Sequence, residues 1–161
     1  MRLPHRFTDR LYRWSIKLRC RRLPDVQIGG AEHPYLNRWY VIPRNRFFNI
    51  YLHEFVRDDD DRALHDHPWW SFSIMLSGLI IEQLKGGDKR LVDPGDIIVR
   101  PARFAHRIEV VGKPCVTLFI TGPRIREWGF HCPEDSPAGG WRHWKDFTAP
   151  GDSSRIGRGC E

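Results

Sequence analysis

The chain has 161 residues, enough for one domain with a sizeable core, and its 40% hydrophobic and 29% charged content reads as soluble and globular rather than disordered. No apolar run approaches the ~20 residues that span a bilayer, and the start lacks the hydrophobic region of a signal peptide. The net charge of +6 belongs entirely to residues 1–25, where Arg2, Arg6, Arg10, Arg13, Lys17, Arg19, Arg21 and Arg22 face only Asp9 and Asp25, so the high pI is no sign of a basic nucleic-acid-binding core.

The four cysteines (Cys20, Cys115, Cys132, Cys160) are too scattered for a disulfide scaffold or a Cys-x-x-Cys zinc site, which makes a reducing cytoplasmic setting the expectation. Thr8 is placed to cap a helix over about residues 9–22, ended by Leu23-Pro24. Phe7, Leu11, Trp14 and Leu18 share one face of it, and arginines occupy most of the rest. Such a helix docks its stripe on the main domain, or it touches a membrane surface, nucleic acid or a partner.

From residue 38 the pattern turns to strands. The segment Arg46–Arg57 is aromatic and branched; residues 70–76, 78–84, 89–92, 96–100, 105–111 and 115–121 follow as short strands, separated by Gly-, Pro- and Asp-rich turns. Near-regular short strands without a helical period predict an antiparallel sandwich or small barrel. The run Asp58–Asp61 lacks the ligand spacing of an EF-hand loop and reads as a solvated turn. Beyond Pro123, Trp128, Phe130, Trp141, Trp144 and Phe147 form an aromatic flap, and residues 149–161 read as a flexible tail in which Cys160 has no role. The expected organisation is a helical extension over 1–25, a barrel with its flap over 26–148, and the tail.

His65 and His67, two apart on an extended chain, point to one side and can close on a single metal. Three residues separate His67 from Ser71 and six more precede Gly78; after sixteen others comes Gly95, with Pro101 and His106 at fixed distances beyond it. The segments HDHPWWSFSIMLSG and GDIIVRPARFAH resemble the two motifs of the cupin family. The resemblance implies an all-β, cupin-type antiparallel barrel or jelly roll behind the short N-terminal helix. It also implies a divalent metal on His65, His67 and His106. The family's glutamate ligand is replaced by Ser71, the glycine after its proline by Arg103, its closing asparagine by Val110 and its leading glycine by Asp59. The three-histidine set resembles the iron site of the thiol dioxygenase branch, so iron is the first expectation, with zinc, nickel or manganese compatible with three imidazoles. A centre without the carboxylate favours an anionic or bidentate small molecule.

Alternation places Trp69, Ser71 and Ser73 beside the ligands as substrate contacts, with Thr117 on a neighbouring strand. His53 and Tyr51 share a face of the Arg46–Arg57 strand and are candidates for moving protons, His53 also for a fourth ligand. Arg100 and Arg103 flank the second motif as candidate anion holders. The functional expectation is an iron-dependent dioxygenase; a metal-dependent sugar isomerase or epimerase and a non-enzymatic binding barrel are the alternatives. The tryptophans, together with the family's habit of pairing through its sheets, are compatible with a homodimer. The pair His131-Cys132 lacks a completing ligand set and is set aside.

Overall fold

In the computed structural model, which describes residues 1–29, 32–59, 63–148 and 157–161, the strands assemble into two facing six-stranded antiparallel sheets. The first sheet joins β1 (Val26–Ile28), β2 (Leu36–Tyr40), β3 (Asn49–Phe55), β10 (Cys115–Thr121), β5 (Ser71–Ser77) and β8 (Ile97–Arg100) in that spatial order. The second joins β12 (Gly140–His143), β11 (Gly129–Cys132), β4 (Leu64–His65), β9 (His106–Val110), β6 (Ile80–Leu84) and β7 (Lys89–Val92). The jelly roll is as expected; β1, β4, β11 and β12 are additions that the sequence pattern did not announce.

The first sheet is covered on both sides, which is why β5 buries three consecutive apolar residues, Ile74, Met75 and Leu76. Met75 faces the barrel interior with Leu36, Phe55, Ile98, Ile108 and Cys115. Ile74 and Leu76 face outward with Trp39, Leu52 and Val116, and there the helix α1 (His5–Arg21) lays Leu11, Tyr12, Trp14 and Leu18 over them. Docking on the domain is therefore the fate of the apolar stripe, and it is not free to enter a membrane.

The helix differs from expectation at its start. It begins at His5 behind Pro4, with no side-chain cap, and Thr8 lies buried within its first turn. Tertiary contacts set this start: Leu3 N–H donates to Gly95 O at 2.7 Å, and Ile97 N–H to Met1 O at 2.9 Å, pinning the chain to the turn before β8. Phe7 leaves the expected stripe and is 46% exposed. Among the described residues no helix is long and apolar enough to cross a membrane.

Both motif glycines have backbone reasons. Gly78 and Gly95 sit at φ +84° and +95°, and a Cβ on Gly78 would lie 2.6 Å from Cys115 Sγ.

Two further expectations are corrected. Asp59 is not a solvated turn residue but is buried, its Oδ2 accepting the Ile108 N–H at 2.9 Å; Asp58 Oδ1 accepts that of Val110 at 2.7 Å. Asp60 and Asp61 lie outside the described residues. Cys160 is not a bystander in a tail: it forms a disulfide with Cys132, and the Arg142 guanidinium donates to Glu161 O at 2.8 Å. The pairing was hidden by a separation of 28 residues that the flap folds back across. Residues 149–156 of the expected tail lie outside the described residues.

Candidate metal centre

Three elements bring the histidines together. His65 ends the two-residue β4 and is the direct cross-strand partner of His106 at the start of β9. His67 follows after Asp66 and is held by its own N–H donating to Ala102 O at 3.0 Å. One ring nitrogen from each imidazole lies within 4.8 Å of those of the other two. His67 Nε2 and His106 Nε2 are 2.9 Å apart, close to the ~3 Å expected of two neighbouring ligands each ~2.1 Å from one ion.

The groups behind the imidazoles match this use. His106 Nδ1 is 2.6 Å from Glu82 Oε1, and the same oxygen accepts from Arg100 Nε at 2.6 Å. Arg90 Nε donates to the other oxygen, Oε2, at 3.0 Å. Burial by itself would raise the Glu82 carboxyl, but the His106 hydrogen bond and the Arg100 charge hold it well below the usual carboxylate range. An ionised carboxylate only accepts, so His106 carries its proton on Nδ1 and presents the Nε2 lone pair inward. Burial, with the Glu82 hydrogen bond opposing and the Arg100 charge reinforcing it, pushes His106 down to about 3. Burial first, then the neighbouring His65 and His106, push His67 well down too. Neutral imidazoles are the form that binds metal. Asp59 Oδ2 stands 4.0 Å from His65 Nδ1, a second carboxylate on the outer side of a ligand.

The inner face of the first sheet supplies the opposite wall in cross-strand rows. Arg38, His53, Thr117 and Met75 form one row; Tyr40, Tyr51, Phe119, Ser73 and Ile98 the next; Asn49, Thr121, Ser71 and Arg100 the third. Trp69 stacks on His67 with ring centroids 6.4 Å apart. Trp69 Nε1, Ser71 Oγ and Thr121 Oγ1 are buried and have no hydrogen-bond partner among the described residues, although Ser71 and Thr121 are cross-strand neighbours. Buried polar atoms are seldom left this way, and three in one wall mark a place for a polar ligand or water.

The remaining expected residues divide. Ser73 Oγ accepts from Arg100 NH1 at 2.9 Å, so Arg100 is spent on Ser73 and Glu82 instead of being open to substrate. Arg103 is exposed in the turn before β9. Thr117 is buried beside His53. His53 lies outside the three-imidazole cluster: its ring stacks on Phe119 at 4.8 Å, Phe119 is 6.4 Å from His67, and His53 Nε2 accepts from Arg38 Nε at 2.8 Å. Tyr51 stacks against His53 at 5.8 Å. The sequence reading missed Glu82, Asp59, Thr121 and Arg38. Glu82 alone left a trace, as a carboxylate at even spacing from Ile80 and Leu84 on their side of the strand.

Asp66, between two ligands, ties the flap down. It accepts from Gly129 N–H at 2.9 Å, Trp141 Nε1 at 3.0 Å and His131 Nε2 at 3.1 Å, and it forms an ion pair with Arg126 at 2.9 Å. His131 thus serves Asp66, while Cys132 is in the disulfide.

These features, two facing six-stranded sheets with a cluster of three histidines between them, define a double-stranded β-helix fold. No family model and no curated protein matches the chain. Among solved structures it is similar to the DMSP lyase DddQ of Ruegeria pomeroyi DSS-3, with a TM-score of 0.53 and 17% identity over 71% of this chain and 61% of that one. It is also similar to the Fe(II) form of HppE, with a TM-score of 0.51 and 13% identity over 60% of this chain and 54% of that one. A double-stranded β-helix protein from Klebsiella pneumoniae matches with a TM-score of 0.50 and 16% identity over 59% of this chain and 83% of that one. At these identities the likeness is one of fold.

Proposed function

We propose that the chain is a mononuclear metalloprotein in which His65, His67 and His106 hold a divalent ion, and that it is an iron-dependent dioxygenase of a small chelating substrate. The observation that carries the reading is the cluster of three imidazoles whose ring nitrogens converge within 4.8 Å, one of them fixed by the ionised Glu82. The donor set accepts iron, zinc, nickel or manganese; iron is favoured by the likeness to the three-histidine branch and by the Fe(II) of HppE. An iron ion there supplies the one-electron chemistry that dioxygen requires.

The chain's own residues have separate tasks in this reading. Glu82 keeps the His106 proton on Nδ1 and orients its ring. Ser71, Thr121 and Trp69 offer hydrogen bonds to the polar end of the substrate, while Phe119, Met75, Ile98 and Ile108 keep water from its remainder.

The test is the metal content of untagged protein beside His106→Ala, followed by oxygen consumption. Near-stoichiometric iron that vanishes in the variant, with oxygen uptake on a chelating substrate, is the expected result. Stoichiometric zinc or nickel would keep the centre and remove the oxygenase. Failure of every metal to bind would leave a ligand-binding barrel.

A further inference from the structure

The barrel wall holds a cation that the site described so far does not use. Arg38 stands on the inner face of β2, two residues from the core residue Leu36 and directly across from His53 on β3. Its Nε donates to His53 Nε2 at 2.8 Å, and its guanidinium lies 4.9 Å from the centre of the Tyr51 ring. His53 brings no opposite charge, since burial and the Arg38 charge itself push it well down. Among the described residues no Asp or Glu pairs with Arg38, and its two terminal nitrogens donate to no protein group. Arg100, the other arginine on this wall, has Glu82 and Ser73. A half-buried guanidinium without a counter-ion is costly to hold, and its open edge is the one that grips a carboxylate with two parallel hydrogen bonds.

The position is as telling as the charge. His53 stacks on Phe119, and Phe119 borders His67, so Arg38 sits on the wall of the same barrel that carries the three histidines. His53 and Tyr51 fix the guanidinium from one edge and one face, which leaves the fork pre-organised.

We propose that Arg38 anchors the carboxylate of a small organic acid whose other end reaches the three-histidine centre, so that the substrate class is a carboxylic acid with a metal-binding group a few bonds away. His53 is then a positioning residue that aims the fork. The proposal rests on the metal-centre reading above.

The test uses Co(II)-loaded full-length protein, whose visible absorption reports ligands at the metal. The probes are imidazole-4-acetate and imidazole-4-propionate, each paired with the alcohol of the same length. In the unaltered protein at least one acid is expected to bind about tenfold or more tightly than its alcohol. Arg38→Gln should bring the pair to equality with the Co(II) spectrum unchanged, and Arg38→Lys should keep part of the preference. Equal binding of acid and alcohol by the unaltered, Co(II)-loaded protein overturns the anchor while leaving the metal centre standing, and needs no variant to fold. A preference that survives in Arg38→Gln overturns it too. Failure of Co(II) to bind at all removes the metal centre first, and the anchor with it.

Discussion

Glu82 is fully buried in an apolar barrel and remains charged because three donors converge on it: His106, Arg100 and Arg90. Its carboxylate decides the tautomer of His106 and compensates the buried Arg100. Glu82→Gln keeps the shape and removes the charge. Metal affinity is expected to fall about 10–100-fold, as for other partners of metal-bound histidines. Stability should fall by about 3–5 kcal/mol, because Arg100 is left buried without its counter-ion. Metal titration reads the first effect and urea denaturation of the metal-free protein the second. Unchanged affinity would mean that Glu82 serves only the arginines. The role of Glu82 was not legible along the chain, because a glutamate on a strand is ordinarily the solvent-facing member of an alternation. Only the pairing of β6 with β9, which sets Glu82 opposite Ile108 and Leu84 opposite His106, brings it beneath the ligand.

At the scale of the element, α1 shows how packing overrides local signals. Its arginine-rich side gave it the look of a free amphipathic helix, yet Leu11, Trp14 and Leu18 close the outer core of the first sheet and Arg19 pairs with Glu54 on β3. Trp14→Ala is expected to cost about 2–3 kcal/mol, toward the low end for aromatic truncations because the residue is half-buried. Phe7→Ala, in the same sequence stripe but exposed, should change stability by no more than about 0.5 kcal/mol. Parallel chemical denaturation of the two variants checks the contrast; equal losses would mean that the helix docks in another rotation. The same override explains the misplaced cap: Thr8 has the chemistry of an N-cap, but Pro4 and the bonds from Met1 and Leu3 to the turn before β8 start the helix earlier.

For the molecule as a whole, the flap is the part that joins the C-terminal segment to the histidine cluster. Phe130 on β11 pairs with His65, Gly129 is bonded to Asp66, and the Cys132–Cys160 disulfide closes the chain back onto β11. Cys160→Ser should lower stability by about 2–4 kcal/mol, the range for a loop of this size. Adding reductant to the unaltered protein should produce the same loss, and the variant should no longer respond to it. Thermal denaturation with and without dithiothreitol distinguishes this from packing damage, since a variant that still responds would place the reductant's action elsewhere.

The sequence by itself determined the short-strand character of the barrel core, the three histidines that cluster in it and the absence of a carboxylate at Ser71. These are readable because strand alternation and fixed turn glycines are local properties: two histidines two apart share a side, and Gly78 and Gly95 sit where no side chain fits or the backbone bends. Only the tertiary structure decided what stands behind and opposite those ligands. Glu82, Asp59, Thr121 and Arg38 reach the site across strand pairings between distant stretches of chain, and the disulfide forms across a flap that folds back. Pairings of that kind are fixed by burial and hydrogen-bond register over the whole barrel, and no stretch of chain specifies them alone.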